Sequence, residues 1–158
     1  PFIARLAIER AGGDVAEETV TELKATLDDS VPECKPPLTE RNDGNDILGY
    51  TNRIRINGRD GAEEIIAKSD TGAKRTSIDT KLAGRIGAGP LVGTTNVRSS
   101  TGSGTETRPL VDVSLCLNNC WRTVTASITD RSDMEHPILL GRDVLESYRL
   151  DISRTVEE

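Results

Sequence analysis

The 158-residue chain holds a single histidine, His136, and no His-Glu-x-x-His. A catalytic zinc site built from histidines is therefore poorly supported, and no metal is expected. His136 lies directly before Pro137, and no serine sits in a Gly-x-Ser-x-Gly elbow, so a serine hydrolase of that kind has no candidate nucleophile. No apolar run approaches membrane-spanning length, and no signal peptide is visible. The first residue is Pro1 rather than Met, as in a processed or excised fragment. Cysteine is scarce: Cys34, Cys116 and Cys120 are the only three. An odd count without a secretory signal predicts reduced thiols in a cytoplasmic protein. Cys116 and Cys120 bracket Leu117-Asn118-Asn119, which reads as half a metal site or, better, as two residues flanking a β-turn.

What is present is polar but not depleted of apolar residues: 35% hydrophobic and 29% charged, enough for one core and an appendage. The net charge of −6 argues against a broad nucleic-acid footprint.

The chain changes character along its length. Phe2, Ile3, Leu6 and Ala7 fall at helical spacing, and Gly12-Gly13 ends that segment. Asp14 is a plausible N-cap for a second helix carrying Val15, Thr19, Leu23 and Leu27. Residues 1–31 thus form a helical extension, and the proline-rich, acidic stretch 32–46 a linker.

From Ile47 short strands take over. Ile54 and Ile56 alternate with Arg53 and Arg55, and Asn57-Gly58 signals a hairpin. The returning strand runs through Ile65 and Ile66 into Asp70. A turn or one-turn helix is expected near Ile78–Leu82, and strands over Leu91–Val97, Leu110–Leu117, Trp121–Ile128 and Ile138–Leu140. Arg142–Ser147 reads as a late helix and Tyr148–Ile152 as a last strand. The class is mainly β, a small closed barrel with one short late helix, over residues 47–153, followed by a tail, 154–158.

Asp70-Thr71-Gly72-Ala73 places a carboxylate at a strand end, followed by a hydroxyl and a glycine. Two such carboxylates about 3 Å apart share one proton, and the ionised one activates a water. The chain has one Asp-Thr-Gly and no internal repeat, so if it uses such a pair, the second carboxylate must come from another copy. Taken alone, Asp-Thr-Gly favours a loop carboxylate that caps a turn.

Asp70-Thr71-Gly72-Ala73 with Ile138-Leu139-Leu140-Gly141-Arg142-Asp143 resembles the retropepsin family of dimeric aspartic peptidases. The closer match is the retropepsin-like family found beside ATP-grasp glutamate ligases of the RimK type, often labelled "ATP-dependent zinc protease". Its pattern continues here through Lys74, Thr76-Ser77, Val97-Arg98-Ser99-Ser100, Arg108-Pro109, Thr129-Asp130-Arg131, Met134 and Pro137. The resemblance covers about two thirds of the chain, Ile47 to Ser153. It implies a retropepsin-like closed barrel, one lobe of an aspartic peptidase, with Asp70 as the catalytic acid. Thr71, Gly72, Ala73 and Gly141 would support the loop, and Ser99, Ser100, Thr101, Gly102, Ser103 and Gly104 would form the flap over the substrate. No cofactor is implied.

The resemblance also shows departures. The apolar flap tip common in viral enzymes is missing, and Lys74 and Arg75 replace the acidic residues that commonly follow the motif. Lys74, Arg75, Arg98, Arg108, Arg131 and Arg142 all lie in or beside the motifs. Each can be a solvated surface charge or a structural pair, Arg142 with Asp143 or Asp130, for example. Together they suit an anionic substrate. The expected function is a cytoplasmic homodimeric peptidase acting on a glutamate-rich peptide or glutamylated protein, with an ATP-grasp ligase as a partner implied by the resemblance, and without nucleic acid or membrane. The alternative is a catalytically silent dimerisation or peptide-binding module. Ala11-Gly12-Gly13-Asp14-Val15-Ala16 faintly resembles the last helix of an ATP-grasp ligase, or it opens a helical extension supporting the dimer.

Overall fold

The computed structural model describes residues 33–34, 46–98 and 104–157. The expected helical extension, most of the expected linker, and flap residues Ser99 to Ser103 lie outside the described residues.

The strands form where apolar and polar residues alternate, because successive side chains leave opposite faces of a strand. In β2 (Thr51–Asn57), Ile54 and Ile56 are buried while Arg53 and Arg55 are exposed. In β6 (Thr105–Leu117), Val111, Val113, Leu115 and Leu117 point inward. The other strands are β1 (Ile47–Gly49), β3 (Ala62–Ser69), β4 (Ser77–Asp79), β5 (Leu91–Arg98), β7 (Cys120–Thr129), β8 (Ile138–Leu140) and β9 (Arg149–Asp151). The main sheet runs β2-β3-β8-β4-β7-β6-β5, and an additional β2–β6 pairing closes six of these strands into a barrel. That closure joins Arg55 to Cys116, Ile56 to Leu115 and Asn57 to Ser114. It removes the free edges that β2 and β6 would otherwise expose. β5 extends outward as a hairpin with β6, from Leu91–Val111 to Arg98–Thr105. β1 and β9 pair in parallel as a separate two-stranded sheet.

The barrel interior is aliphatic, with Ile56, Ile78, Leu115, Ile138 and Leu140 among its fully buried side chains. Two helices cover it among the described residues: α1 (Thr80–Ile86) and α2 (Arg142–Leu145). The late helix is shorter than Arg142–Ser147, and α1 replaces the turn or one-turn helix expected near Ile78–Leu82. Asp79 caps α1 by accepting the Lys81 N–H, and Gly87, at φ 65°, closes its other end. The β2–β3 turn is also longer than Asn57-Gly58 alone: it spans four residues, with Gly58 N–H donating to the Gly61 carbonyl. The Asp60 N–H donates to the Ile86 carbonyl, so contact with the end of α1 shapes this turn.

The thiol expectation is corrected. Cys34 and Cys120 form a disulfide, and Cys116 is the free cysteine among the described residues. The bond seats part of the expected linker on the barrel, where Glu33 bridges to Trp121 and the Cys34 N–H donates to the Trp121 carbonyl. Cys116 and Cys120 do flank a turn, in which Asn118 and Asn119 both adopt positive φ. Pairing was hidden from the count because the partners stand 86 residues apart.

Candidate active site

Asp70 follows β3 directly, and its N–H donates to the Leu140 carbonyl at the end of β8. The parallel pairing of Ala67–Ser69 with Ile138–Leu140 thus continues into the loop. Asp70 Oδ1 accepts the Gly72 N–H at 2.8 Å, and the Ala73 N–H donates back to the Asp70 carbonyl. A Cβ on Gly72 would stand 3.1 Å from Asp70 Oδ1, tighter than ordinary contact. Asp70 is half-buried, whereas Thr71 and Gly72 are exposed at the rim.

The loop is braced from below. The Ser69 hydroxyl donates to the Gly49 carbonyl at 2.8 Å, and Asn52 Nδ2 donates to Ser69 Oγ and to the same carbonyl. Asn52 and Ser69 are buried, so these bonds form without competition from water. On the other side, Arg142 N–H donates to the Ala73 carbonyl, and its guanidinium donates to the Thr71 carbonyl at 2.9 Å. Gly141 is required by space: a Cβ there would lie 2.5 Å from the Arg75 carbonyl carbon. Backbone at that distance cannot yield as a flexible side chain could. Asp143, which opens α2, accepts the Thr76 N–H and hydroxyl.

Asp70 opens onto a groove of about 290 Å³ lined by Tyr50, Lys68, Ser69, Asp70, Thr71, Leu150 and Ile152. Tyr50 and Ile152 stay 41% and 71% exposed beside the loop.

The six basic residues flanking the motifs have separate surroundings. Arg75 donates to the Thr125 carbonyl, Arg142 to Thr71, and Arg131 Nε to the His136 carbonyl. Arg108 is ion-paired with Glu106 at 3.0 Å. Arg142 therefore uses a loop carbonyl rather than Asp143 or Asp130. Burial, followed by the nearby Arg108 charge, pushes the Arg131 guanidinium down, while Asp79 and Asp70 pull it back up. Arg131 is thus influenced by Arg108 and, least of these, by Asp70. Lys74 and Arg98 are exposed. Gly104 enters the return strand of the β5–β6 hairpin at φ 110°, and the rest of the expected flap tip lies outside the described residues.

Among the described residues no cluster of three or more His, Cys, Asp or Glu side chains is arranged to hold a metal ion, and no helix is long and apolar enough to cross a membrane. Sequence patterns did not reveal Asn52 and Ser69 as braces, nor Lys68 and Tyr50 as groove walls. Lys68 could have been found by its position two residues before Asp70, which sets both side chains on one face of the strand.

Residues 84–156 match the family model described as "RimB-like: Retropepsin-like aspartic endopeptidase RimB". The Asp70 loop precedes that segment. No curated protein matches the sequence. The EIAV protease, solved in complex with the inhibitor HBY-793, is 19% identical, with a TM-score of 0.51 over 65% of this chain and 91% of that one. A Legionella pneumophila protein of unknown function is 24% identical, with a TM-score of 0.47 over 69% of this chain and 95% of that one. The simian foamy virus protease is 12% identical, with a TM-score of 0.43 over 61% and 91%. The EIAV likeness and the barrel agree on a retropepsin-like fold.

Proposed function

We propose that this retropepsin-like chain works as a homodimeric aspartic endopeptidase, each copy supplying one Asp70. The carrying observation is the Asp70 carboxylate, held by the Gly72 N–H on a doubly braced loop and opening onto a groove. A single lobe has one such carboxylate, and exposed Ile152 beside it suits contact with a second copy.

In the dimer two Asp70 carboxyls share one proton and titrate as a pair. The ionised one takes a proton from a water, which attacks the substrate carbonyl. The protonated one donates to that carbonyl oxygen, and the proton then passes to the leaving amine. The Thr71 hydroxyls hydrogen-bond across the two-fold axis and stiffen both loops. The β5–β6 hairpin covers the substrate.

The substrate is an acidic, glutamate-rich peptide or isopeptide. The basic residues around the motifs support this. An ATP-grasp ligase that adds glutamate is the matching partner. Disulfides persist in oxidising compartments, so the Cys34–Cys120 bond weakens the cytoplasmic expectation drawn from the odd cysteine count.

The test is hydrolysis of oligoglutamate-tagged and generic peptides by the wild type and Asp70→Asn. Loss of cleavage in Asp70→Asn, with chelators without effect, is expected. Equal activity in both would sink the aspartic mechanism and leave the silent binding module. Activity abolished by chelators but retained by Asp70→Asn would revive a zinc mechanism.

A further inference from the structure

Among the residues lining the groove beside Asp70, the cation is Lys68, which is none of the six basic residues flanking the motifs. Lys68 stands two positions before Asp70, so both side chains leave the same face of the chain where β3 runs into the loop. Its ammonium lies 5.4 Å from the centroid of the Tyr50 ring, and Tyr50 forms part of the same wall. A cation held over an aromatic face is positioned without being neutralised.

Of the six cations near the motifs, four are engaged elsewhere, and the exposed Lys74 and Arg98 do not line the groove. Arg75, Arg131 and Arg142 donate to backbone carbonyls, and Arg108 is paired with Glu106. Among the described residues no carboxylate is ion-paired with Lys68; the arginine pairs there are Arg53–Glu64, Arg85–Glu63, Arg108–Glu106 and Arg149–Asp46. The rest of the groove is lined by side chains without charge apart from Asp70 itself, namely Tyr50, Ser69, Thr71, Leu150 and Ile152.

We propose that Lys68 is the specificity-determining residue of this groove, binding the side-chain carboxylate of the substrate residue that borders the scissile bond. The inference rests on the peptidase reading of Asp70 and sharpens it. Acidic selectivity is set next to the catalytic carboxylate, with the outlying arginines acting at longer range. Lys68 does not act on the reacting atoms, so it is assigned to selection and not to catalysis.

The experiment compares two matched fluorogenic peptides that carry Glu or Gln beside the scissile bond. The kcat/KM ratio, Glu over Gln, is measured for the wild type, Lys68→Met, Lys68→Gln and Lys68→Arg. The wild type is expected to prefer Glu. Both uncharged variants lower the ratio about 10- to 100-fold, the range of one charge-assisted hydrogen bond, and Lys68→Arg restores most of it. An unchanged ratio in whichever uncharged variant folds, or no Glu preference in the wild type, overturns the proposal. If the wild type cleaves neither peptide, fluorescence anisotropy measures binding of the same pair. A Glu preference lost in Lys68→Met then upholds Lys68 while the peptidase reading alone fails, and a preference that is retained or absent overturns Lys68.

Discussion

The Thr76 hydroxyl donates to Asp143 Oδ1 at 2.8 Å, and the Thr76 N–H reaches both oxygens of the same carboxylate. Thr76 is fully buried, and its Oγ1 also accepts the Gly141 N–H at 3.2 Å. One pair of side chains therefore ties the segment after the Asp70 loop to the start of α2. Asp143→Ala leaves two buried Thr76 donors without that acceptor. The expected cost is about 1–3 kcal/mol, read as a fall in Tm of several degrees by calorimetry. Asp143→Asn keeps one acceptor oxygen and should lose less. A variant that melts with the wild type would show that the bracket does not hold the loop.

Cysteine chemistry gives a second expectation. In unreduced protein only Cys116 is available to iodoacetamide, and reduction with unfolding exposes three thiols. Burial pushes the Cys116 thiol up, against the opposing Arg55 charge. The neutral form is favoured at neutral pH, so alkylation is slow and accelerates only above the ordinary thiol range. Reduction also releases Cys34 from the barrel, at a cost of about 2–4 kcal/mol. Mass spectrometry of alkylated samples counts the thiols, and melting with and without reductant reads the cost. Three rapidly labelled thiols in the folded, unreduced protein would contradict the pairing.

Asp130 and Asp151 carry the clearest acid signature. The Ser132 hydroxyl, then the Ser132 N–H, holds Asp130 below its ordinary value, and Ser153 does the same for Asp151. These bonds favour the ionised form in the folded state. Their stabilisation is therefore present above the ordinary carboxylate range and is lost as pH falls through the lowered values. Both groups are exposed, so the effect on overall stability is small. NMR titration of the side-chain carboxyls should find both low, and Ser132→Ala or Ser153→Ala should move the adjacent aspartate back up. No movement in either variant would remove the hydroxyl as the cause.

Ile152 tests the second copy. It is exposed in the single chain, so Ile152→Asp should leave the fold intact. In the proposed dimer it buries a charge beside the loop, and the dissociation constant should rise at least tenfold, with activity falling in parallel at low protein concentration. Sedimentation velocity and a dilution series of activity check this together. A wild-type monomer that remains fully active would refute the shared dyad.

The strands were legible because alternation is a local property. Ile54 and Ile56 face inward and Arg53 and Arg55 outward as their spacing requires. Helix α1 was less legible, since Gly84 interrupts a seven-residue stretch and its capping depends on Asp79. Asp79 itself is engaged from elsewhere, accepting the Arg131 N–H at 2.7 Å. The basic residues were legible as a chemical class but not as a site. Two heads found local partners, Arg108 at Glu106 and Arg131 at the His136 carbonyl, whereas Arg75 at Thr125 and Arg142 at Thr71 span 50 and 71 residues, which only folding brings within reach.

The sequence by itself determined the class of barrel and the loop that carries its acid. Alternation, turn chemistry and one Asp-Thr-Gly at a strand end are short-range patterns, and a sequence displays them directly. Tertiary structure decided what holds that loop and what stands beside it. Thr76 meets Asp143 across 67 residues and Cys34 meets Cys120 across 86. Tyr50 turns its ring under Lys68 at the mouth of the groove. The first two of these contacts follow from β4 lying beside β8 and from the bridge of Glu33 to Trp121, which no local pattern encodes.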